Sequence, residues 1–573
     1  MSDANDRDRT SRRGFLKTLG AASTAAIAGT GCTPAQEPPQ PLAGPGADSV
    51  VALVNGRIHT VDGQDTVVDS VVIRNGVFAA VGNGAAPPPG TRVVDLGGRT
   101  VVPGLVEPHV HIVSLANRPG YHTILENTTS IREVQEALAA RRRDVPDGQW
   151  ITSMGGWHPN QWAEHRHPTR AELDEAVPDR PVFLYERFTG PCAVNTLAKE
   201  FFDAADSGDP AHPDIKKVAV NDDGAIAANG FAGGGPSASA LYYLRRLQTF
   251  ADKKRSTLDA MRYSAEVGLT AHLDQTLFPT PGPLHPNQIL SNLDQYKMYD
   301  PWLELHREGR ATVRLQINFL SNQTDPALPE LHERLRNQFQ FFGDDMVRTG
   351  AIGEWAAPIS AGPVWLEAQR LVAEARWRNE NAVQNLAALQ QVVEAYEQMN
   401  AQYGITDLRW CVHHVPEITP ELLSRLRALG CGVQMAGYRW VTSSDPNQVA
   451  GAAFRTIVDH GIQVGLHGDG VHIAPLNPWQ HIYYATTGLN SFGQQVNPGQ
   501  HLTREEALGL FTKKNAWFLR MEEKIGSIEP GKLADLVVLD RDYFAVPDSD
   551  IKKTRSLLTI VGGNVVHDTG ALG

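Results

Sequence analysis

The sequence has no excess of positive charge and, in its main body, no long apolar segment. Its 52 lysines and arginines are outnumbered by 64 aspartates and glutamates, which gives a formal net charge of -12. A nucleic-acid-binding surface needs a basic face that neutralises phosphates, so this composition argues against nucleic acid as a partner. After residue 50 no apolar run is long enough to cross a bilayer, and we expect the mature chain to be soluble.

Cysteine is also scarce. The chain has four, and only Cys192, Cys411 and Cys431, an odd number, lie outside the N-terminal segment. Cys411 and Cys431 fall in apolar runs typical of strands, which favours buried small side chains over a disulfide or a nucleophile. We therefore assign no chemistry to the cysteines.

The N-terminus carries the pattern of a twin-arginine export signal, which we assign to residues 1–48 together with a linker. Arg12 and Arg13 precede Gly-Phe-Leu-Lys, and an acid-free run rich in Ala, Gly and Thr follows from Leu19 to Gly31. We expect export to the periplasm or another extracytoplasmic site. Cys32 ends the run, so a lipid on this residue is the only membrane attachment that the sequence suggests.

Short strands separated by turns make up residues 49–103. Asn75-Gly76 lies between the apolar runs Ser70–Arg74 and Val77–Val81. This is a strong hairpin signal, because both turn residues must accept positive φ. Residues 526–573 repeat the pattern around Gly562-Gly563-Asn564. We predict that the two ends of the chain complete one small β-sandwich.

Between these ends, strand-like and helical runs alternate, which is typical of parallel β/α units. Eight such strands close a (β/α)8 TIM barrel, and this is the α/β fold that we predict for residues 104–525. The eight candidates are Val106–Ile112, Leu269–Asp274, Thr312–Leu320, Ala351–Trp355, Asn379–Val383, Arg409–His414, Gly432–Ala436 and Gln463–Asp469.

A long insertion, residues 113–265, separates the first two predicted barrel strands. Because active sites of barrels lie at the carboxyl ends of the strands, an insertion here is expected to form a lid or a substrate wall. It is rich in ring side chains, which either serve that site or pack the insertion's own core. These residues are Trp157, His158, Trp162, His165 and His167.

The first predicted barrel strand carries a His-x-His pair. His109 and His111 are separated by one residue, so on a strand both imidazoles project to the same face and can bind one ion at the barrel mouth. Such pairs also occur by chance on solvated strands. The preceding Pro103-Gly104-Leu105-Val106-Glu107 and the β unit before it favour metal binding.

With these motifs the chain resembles the amidohydrolase superfamily, and within it the branch of YtcJ-like and N-substituted formamide deformylase-like proteins. The resemblance extends over residues 50–568. It implies a divalent metal, usually Zn, an activated hydroxide, and hydrolysis of an amide, an ester or an amine-bearing carbon. Besides the His-x-His segment, it is carried by Asn55-Gly56-Arg57-Ile58, Gly155-Gly156-Trp157, Pro168-Thr169-Arg170-Ala171-Glu172-Leu173, Gly268-Leu269-Thr270 and Gly526-Ser527-Ile528-Glu529-Pro530-Gly531-Lys532-Leu533-Ala534-Asp535-Leu536.

The resemblance implies further ligands on later strands. Asp469 looks like the eighth-strand acid, and a carboxylate there can bind the ion and accept the proton of the attacking water. His414 matches the sixth-strand His by its spacing of five residues from Thr419. It is expected to bind a second metal or to polarise the substrate carbonyl. His413 then points to the opposite face of the strand and is expected to be structural.

Three positions depart from the family pattern. Relatives usually have a lysine on the fourth strand, where this chain reads Ala351-Ile352-Gly353-Glu354-Trp355. Glu354 either supplies a bridging carboxylate or forms an ion pair at a strand end. Ala382 stands where the family has a fifth-strand His ligand, and Thr189-Gly190-Pro191 replaces an Asp-Gly-His. We therefore expect an unusual centre that holds about one ion tightly.

Three functions follow as hypotheses. The first is a hydrolase in which a metal-activated water cleaves an amide-like C–N bond of a small molecule; Zn is the expected ion, with Fe or Mn as alternatives. The others are a deaminase of the same superfamily and a non-catalytic, degenerate binding protein on the same fold. The inward ligands His109, His111 and Asp469 favour catalysis, whereas Ala382 favours degeneration or a new substrate. The sequence leaves the substrate and any homo-oligomer open.

Overall fold

The protein is described by a computed structural model over residues 50–84, 88–116, 118–187, 190–205, 217–228, 235–275, 298–437, 452–471 and 473–572. The predicted export signal, Cys32 and the linker lie outside these ranges, as does Thr189 of the Thr189-Gly190-Pro191 segment. Among the described helices, none combines the length and the apolar character that a membrane span requires.

Each of the eight strands predicted for the central region overlaps a strand of the structure. They form two four-stranded sheets that are parallel throughout. A parallel bridge between Ile352 and Asn379 connects the two sheets at one side, and a bridge between Val110 and Gly470 connects them at the other. In chain order the strands are Leu105–Val110, Leu269–Gln275, Arg314–Phe319, Val347–Ile352, Glu380–Ala382, Cys411–His414, Gly432–Ala436 and Gln463–His467.

Side chains reinforce the junction between the first and the eighth strand. The amide of Asn515 donates hydrogen bonds to the carbonyl oxygens of Val106 (2.7 Å) and Leu466 (2.8 Å). The buried carboxylate of Glu107 accepts from the backbone nitrogens of His109 (3.1 Å) and Gly468 (2.9 Å). The ends of these two strands are thus held together where the His-x-His pair lies.

Several strands end earlier than their sequence pattern predicts. The first ends at Val110, so His111 lies just beyond it, and the eighth ends at His467, two residues before Asp469. The fourth spans Val347–Ile352 rather than Ala351–Trp355, which leaves Glu354 in the following loop. The candidate ligands therefore lie in the first residues after the strands, at the edge where parallel strands of α/β proteins carry their sites.

Both ends of the chain contribute to one six-stranded sheet, in which Leu536–Leu539 pairs antiparallel with Thr100–Pro103. Asn75 and Gly76 have φ of 51° and 79°, as the predicted hairpin requires. An apolar cluster with residues from both chain ends packs against these strands. The six strands are Asn564–Asp568, Ser556–Val561, Leu536–Leu539, Thr100–Pro103, Arg57–His59 and Val67–Val68, and a four-stranded sheet comprises Val77–Gly82, Ser70–Arg74, Val50–Val54 and Arg92–Asp95.

The long insertion contains a five-stranded sheet with its own apolar cluster. Trp157 and Trp162 are buried in that cluster with their rings stacked, centroids 5.1 Å apart, so these two rings pack core. The insertion also contacts the segment after the eighth parallel strand, because the carboxylate of Glu126 accepts from the backbone nitrogens of Leu476 and Asn477, each at 2.8 Å. Its strands are Ala225–Ile226, Cys192–Val194, Val182–Tyr185, Ile151–Ser153 and Tyr121–Thr123.

Local signals place several helix ends where the sequence predicts them. Thr419 caps its helix by accepting from the backbone nitrogen of Leu422, and Gly430 beyond its end has φ of 66°. Thr503 and Glu506 form the predicted capping box. All three cysteines outside the N-terminal segment are buried and unpaired, as expected. The described helices are Val113–Ala116, Ile131–Arg142, Arg170–Ala176, Thr196–Ala204, Pro236–Arg245, Phe250–Glu266, Asp300–Arg307, Pro329–Asn337, Pro363–Glu374, Leu386–Tyr403, Pro420–Ala428, Phe454–Asp459, Pro478–Thr487, Arg504–Gly509 and Asp548–Ile551, with single turns at Pro159–Gln161, Ile359–Ala361, Leu510–Lys514 and Trp517–Leu519.

Candidate metal centre

The five predicted site residues converge at the carboxyl ends of four parallel strands. Asp469 Oδ1 lies 3.1 Å from Nε2 of His111 and 3.6 Å from Nε2 of His109. Asp469 Oδ2 lies 3.3 Å from Nε2 of His414. The carboxylate of Glu354 lies 3.6 Å from Nε2 of His414 and 3.9 Å from Nε2 of His111. The carboxylate of Asp469 thus lies close to all three imidazoles and that of Glu354 to two of them, and all five side chains are buried.

The backbone at two of these residues departs from strand geometry. His414 has φ of 70° and Asp469 has φ of 59°. The left-handed region is uncommon for residues other than glycine and is found at functional sites more often than elsewhere. At His414 it ends the sixth strand and interrupts the alternation of its side chains.

This interruption overturns the expectation for His413. Strand alternation predicts that His413 points away from the centre, but its ring centroid lies 4.5 Å from that of His109 and 5.5 Å from that of His414. The prediction is wrong because the alternation of two faces holds only while successive residues keep strand dihedral angles.

Two glutamines contact the ligand imidazoles, and the sequence interpretation missed both. Nε2 of Gln275 lies 3.2 Å from Nδ1 of His109, and Nε2 of Gln384 lies 2.9 Å from Nδ1 of His414. A glutamine amide presents either its NH2 donor or, after a flip, its carbonyl acceptor to a ring nitrogen. In either orientation Nδ1 of each imidazole contacts a glutamine amide, so Nε2 of His109 and Nε2 of His414 face the carboxylate of Asp469. The available signal was their position, since Gln275 is the last residue of the second strand and Gln384 lies two residues after the fifth strand.

Burial and charge shift the pKa values of these groups. Burial alone would lower the pKa of His111, but the hydrogen bond and the charge of Asp469 outweigh it and raise the pKa to about 9. Burial opposes ionisation of Asp469, yet the surrounding imidazoles, His109 foremost, hold its pKa well below the usual value. Burial raises the pKa of Glu354 to about 7. The centre therefore contains an ionised buried carboxylate that requires a positive charge beside it.

The donor set fits a divalent ion. In the described part of the chain, Nε2 of His109 and Oε2 of Glu354 are buried without a hydrogen-bond partner. Burying such atoms lowers the stability of the fold unless another group binds them. Imidazole nitrogens and carboxylate oxygens are common protein ligands of divalent metals. Two groups of described side chains have ligand atoms within 4.8 Å of one another, namely His109, His111 and Asp469, and His109, Glu354, His413 and His414.

The other ring side chains of the insertion lie apart from these two groups. Nε2 of His167 is 2.7 Å from the buried carboxylate of Glu186, and Nε2 of His158 is 3.6 Å from it. The ring of His165 lies 5.0 Å from that of Phe492. Within the described residues neither metal-competent group includes these histidines.

Comparison with known proteins gives one family and a consistent set of relatives. Residues 92–567 match the amidohydrolase family. Over 551 residues the chain is 26% identical to N-substituted formamide deformylase of Arthrobacter pascens, covering 89% of this chain and 97% of the relative. It is 23% identical over 547 residues to the putative amidohydrolase YtcJ of Bacillus subtilis, covering 90% and 98%. An uncharacterized metal-dependent hydrolase from Pyrococcus furiosus has a similar fold, with a TM-score of 0.55, 20% identity, and coverage of 86% of this chain and 100% of that one.

Proposed function

Since the chain belongs to the amidohydrolase family, we propose that it uses one divalent ion, held at this centre, to hydrolyse an amide-like C–N bond of a small molecule. The family makes it a metal-dependent hydrolase that acts on C–N bonds. The main support for a single catalytic ion is that three imidazoles and two carboxylates, all buried, converge at one edge of the parallel strands. Zn is the ion we propose, because it accepts this mixed nitrogen and oxygen set in tetrahedral or five-coordinate sites.

We further propose that the eight parallel strands close a (β/α)8 barrel and that the two sheets formed by the chain ends make a β-sandwich beside it. The bridges at both junctions of the parallel sheets support closure. The large insertion serves as a substrate wall in this proposal, since Glu126 ties it to Leu476 and Asn477 a few residues after Asp469.

In the mechanism that we propose, His109, His111 and Asp469 would hold the ion, with Glu354 and His414 beside them as further candidate ligands. When bound, such an ion acts as a Lewis acid and lowers the pKa of a coordinated water toward neutrality. Asp469 is suited to accept the proton of the attacking water, because the surrounding imidazoles keep its carboxylate ionised. His414, whose Nδ1 is engaged by Gln384, presents Nε2 toward Asp469 and is suited to orient the substrate carbonyl.

We expect purified protein to contain about one divalent ion per chain, and its hydrolytic activity to disappear on chelation and to return with the ion. One ion rather than two is expected because Ala382 cannot coordinate and because His109 belongs to both metal-competent groups. Metal analysis by mass spectrometry would be combined with a screen of formamides, N-acyl amines, cyclic amides and lactones, with Zn or Mn added.

Two results would contradict this proposal. Protein that contains no metal and binds none would indicate a degenerate binding protein. Anomalous scattering from two fully occupied ions per chain would refute the one-ion centre while leaving metal-dependent hydrolysis in place.

We propose that export uses the twin-arginine route and delivers the protein to an extracytoplasmic compartment. Replacing Arg12 and Arg13 together by Lys is expected to leave it in the cytoplasm, because this route depends on the arginine pair. Cell fractionation with immunoblotting would measure the distribution, and Arg7→Lys with Arg9→Lys is the matched control because it alters two arginines outside the motif. Unchanged export of the first double variant would rule the route out.

A further inference from the structure

Ala382 stands at the position where the resemblance to the family implies a fifth-strand histidine ligand. It ends the strand Glu380–Ala382, is buried, and cannot coordinate a metal. In the ladder between the fifth and the sixth strand, its direct partner is His413. An imidazole therefore lies directly across the ladder from the position of the missing ligand.

His413 has unmet hydrogen-bonding capacity. The residue has no exposed surface, and within the described residues neither ring nitrogen has a hydrogen-bond partner. Each neutral imidazole has one donor and one acceptor nitrogen, and buried polar atoms are nearly always satisfied in folded proteins. His413 therefore has both ring nitrogens available to a group that is not part of the described chain.

The surroundings of His413 indicate what that group is. Its ligand nitrogen lies within 4.8 Å of ligand atoms on His109, Glu354 and His414. Two imidazoles and a carboxylate close to a third imidazole form a set that suits a transition-metal cation, whereas they offer little to an apolar ligand.

We propose that His413 is a ligand of the catalytic ion and takes the place of the histidine that Ala382 replaces. His413 would then hold the ion together with His109, Glu354 and His414, whose ligand atoms lie within 4.8 Å of its own. This inference rests on the proposed function, because it presupposes that the centre binds a divalent ion. His413 would thus be a ligand, although strand alternation alone would assign it to the core.

His467 provides a matched control. It also has no exposed surface, both of its ring nitrogens lack a hydrogen-bond partner among the described residues, and its ring centroid lies 4.6 Å from that of His109. Within the described chain it belongs to neither metal-competent group. His413 and His467 thus share burial and packing, and differ in their proximity to the other ligand atoms.

The test compares zinc affinity of the wild-type protein, His413→Leu and His467→Leu by competition with a chromophoric chelator, after removal of bound metal. We expect His413→Leu to raise the dissociation constant for Zn by at least about tenfold to 100-fold, since even residues that only orient ligands contribute that much. His467→Leu is expected to stay within about threefold of wild type, because leucine fills the same buried space without removing a ligand. Far-UV circular dichroism of the metal-free variants checks that the fold is retained.

Equal zinc affinity of wild type and His413→Leu would overturn the ligand role, and so would an equal loss in both variants, which would indicate a packing effect. If His413→Leu does not fold, a crystal structure of the wild-type protein with Zn would show whether His413 coordinates the ion. A nitrogen of His413 at about 2.0–2.1 Å from the ion supports the role, and a separation beyond about 3 Å refutes it. Wild-type protein that binds no Zn would refute the proposed function itself, so the two failures are distinguishable.

Discussion

Asp469→Asn is expected to lower the turnover number by at least about 10²- to 10⁴-fold, the range that general base catalysis contributes. Asparagine keeps the shape of the side chain but accepts no proton and carries no charge to offset the ion. It also tolerates left-handed dihedral angles, so the φ of 59° at this position remains accessible. We therefore expect the fold and the thermal unfolding temperature to change little.

The measurement is steady-state kinetics on a substrate from the C–N bond screen, with metal content determined for each preparation. Asp222→Asn, an exposed residue of the insertion, is the matched control and should retain wild-type turnover. If Asp469→Asn keeps near wild-type turnover with its ion bound, Asp469 is not the proton acceptor and the proposed mechanism is incorrect.

His109→Ala is expected to strip the ion from the centre and to abolish turnover with it. His109 contributes to both metal-competent groups, so its removal weakens every arrangement of ligands that the described residues offer. Loss of a ligand should weaken metal binding by more than the roughly 10- to 100-fold that follows from changing residues that only orient the ligands. Metal analysis after dialysis against a weak chelator would show a content far below one ion per chain.

His272→Ala is the control for the loss of a buried imidazole. His272 lies on the neighbouring strand, has no exposed surface, and its Nε2 lies 2.9 Å from the hydroxyl of Ser264. Its removal should affect stability but leave the metal content near that of wild type. A stoichiometric ion in His109→Ala would show that the centre is held by other residues.

Local patterns were sufficient for much of the architecture. Strand positions followed from short apolar runs, because burial on both faces selects such residues in parallel sheets. Helix ends such as Thr419 and Thr503 followed from caps, which depend only on residues within one turn. The least accurate strand was the fourth, predicted at Ala351–Trp355 and observed at Val347–Ile352, since polar Arg348 and Thr349 masked its apolar pattern.

The candidate site depended on longer-range information. The spacing of His109 and His111 and the likeness of Asp469, His414 and Glu354 to a family pattern identified five residues that the structure brings together. Gln275, Gln384 and the orientation of His413 could not be inferred in this way. Each depends on a neighbouring strand or on a dihedral angle that tertiary packing sets.

The sequence by itself determined the order of strands and helices, the two chain ends that pair, and the kinds of ligand available to an ion, because these follow from periodicity, turn residues and spacing along the chain. Only the tertiary structure decided which side chains face one another across the centre. Residues such as His109 and Asp469 are 360 positions apart, and their approach to 3.6 Å depends on how the parallel sheets meet. The left-handed backbone at His414, which brings the rings of His413 and His414 to the same centre, likewise cannot be read from the local sequence.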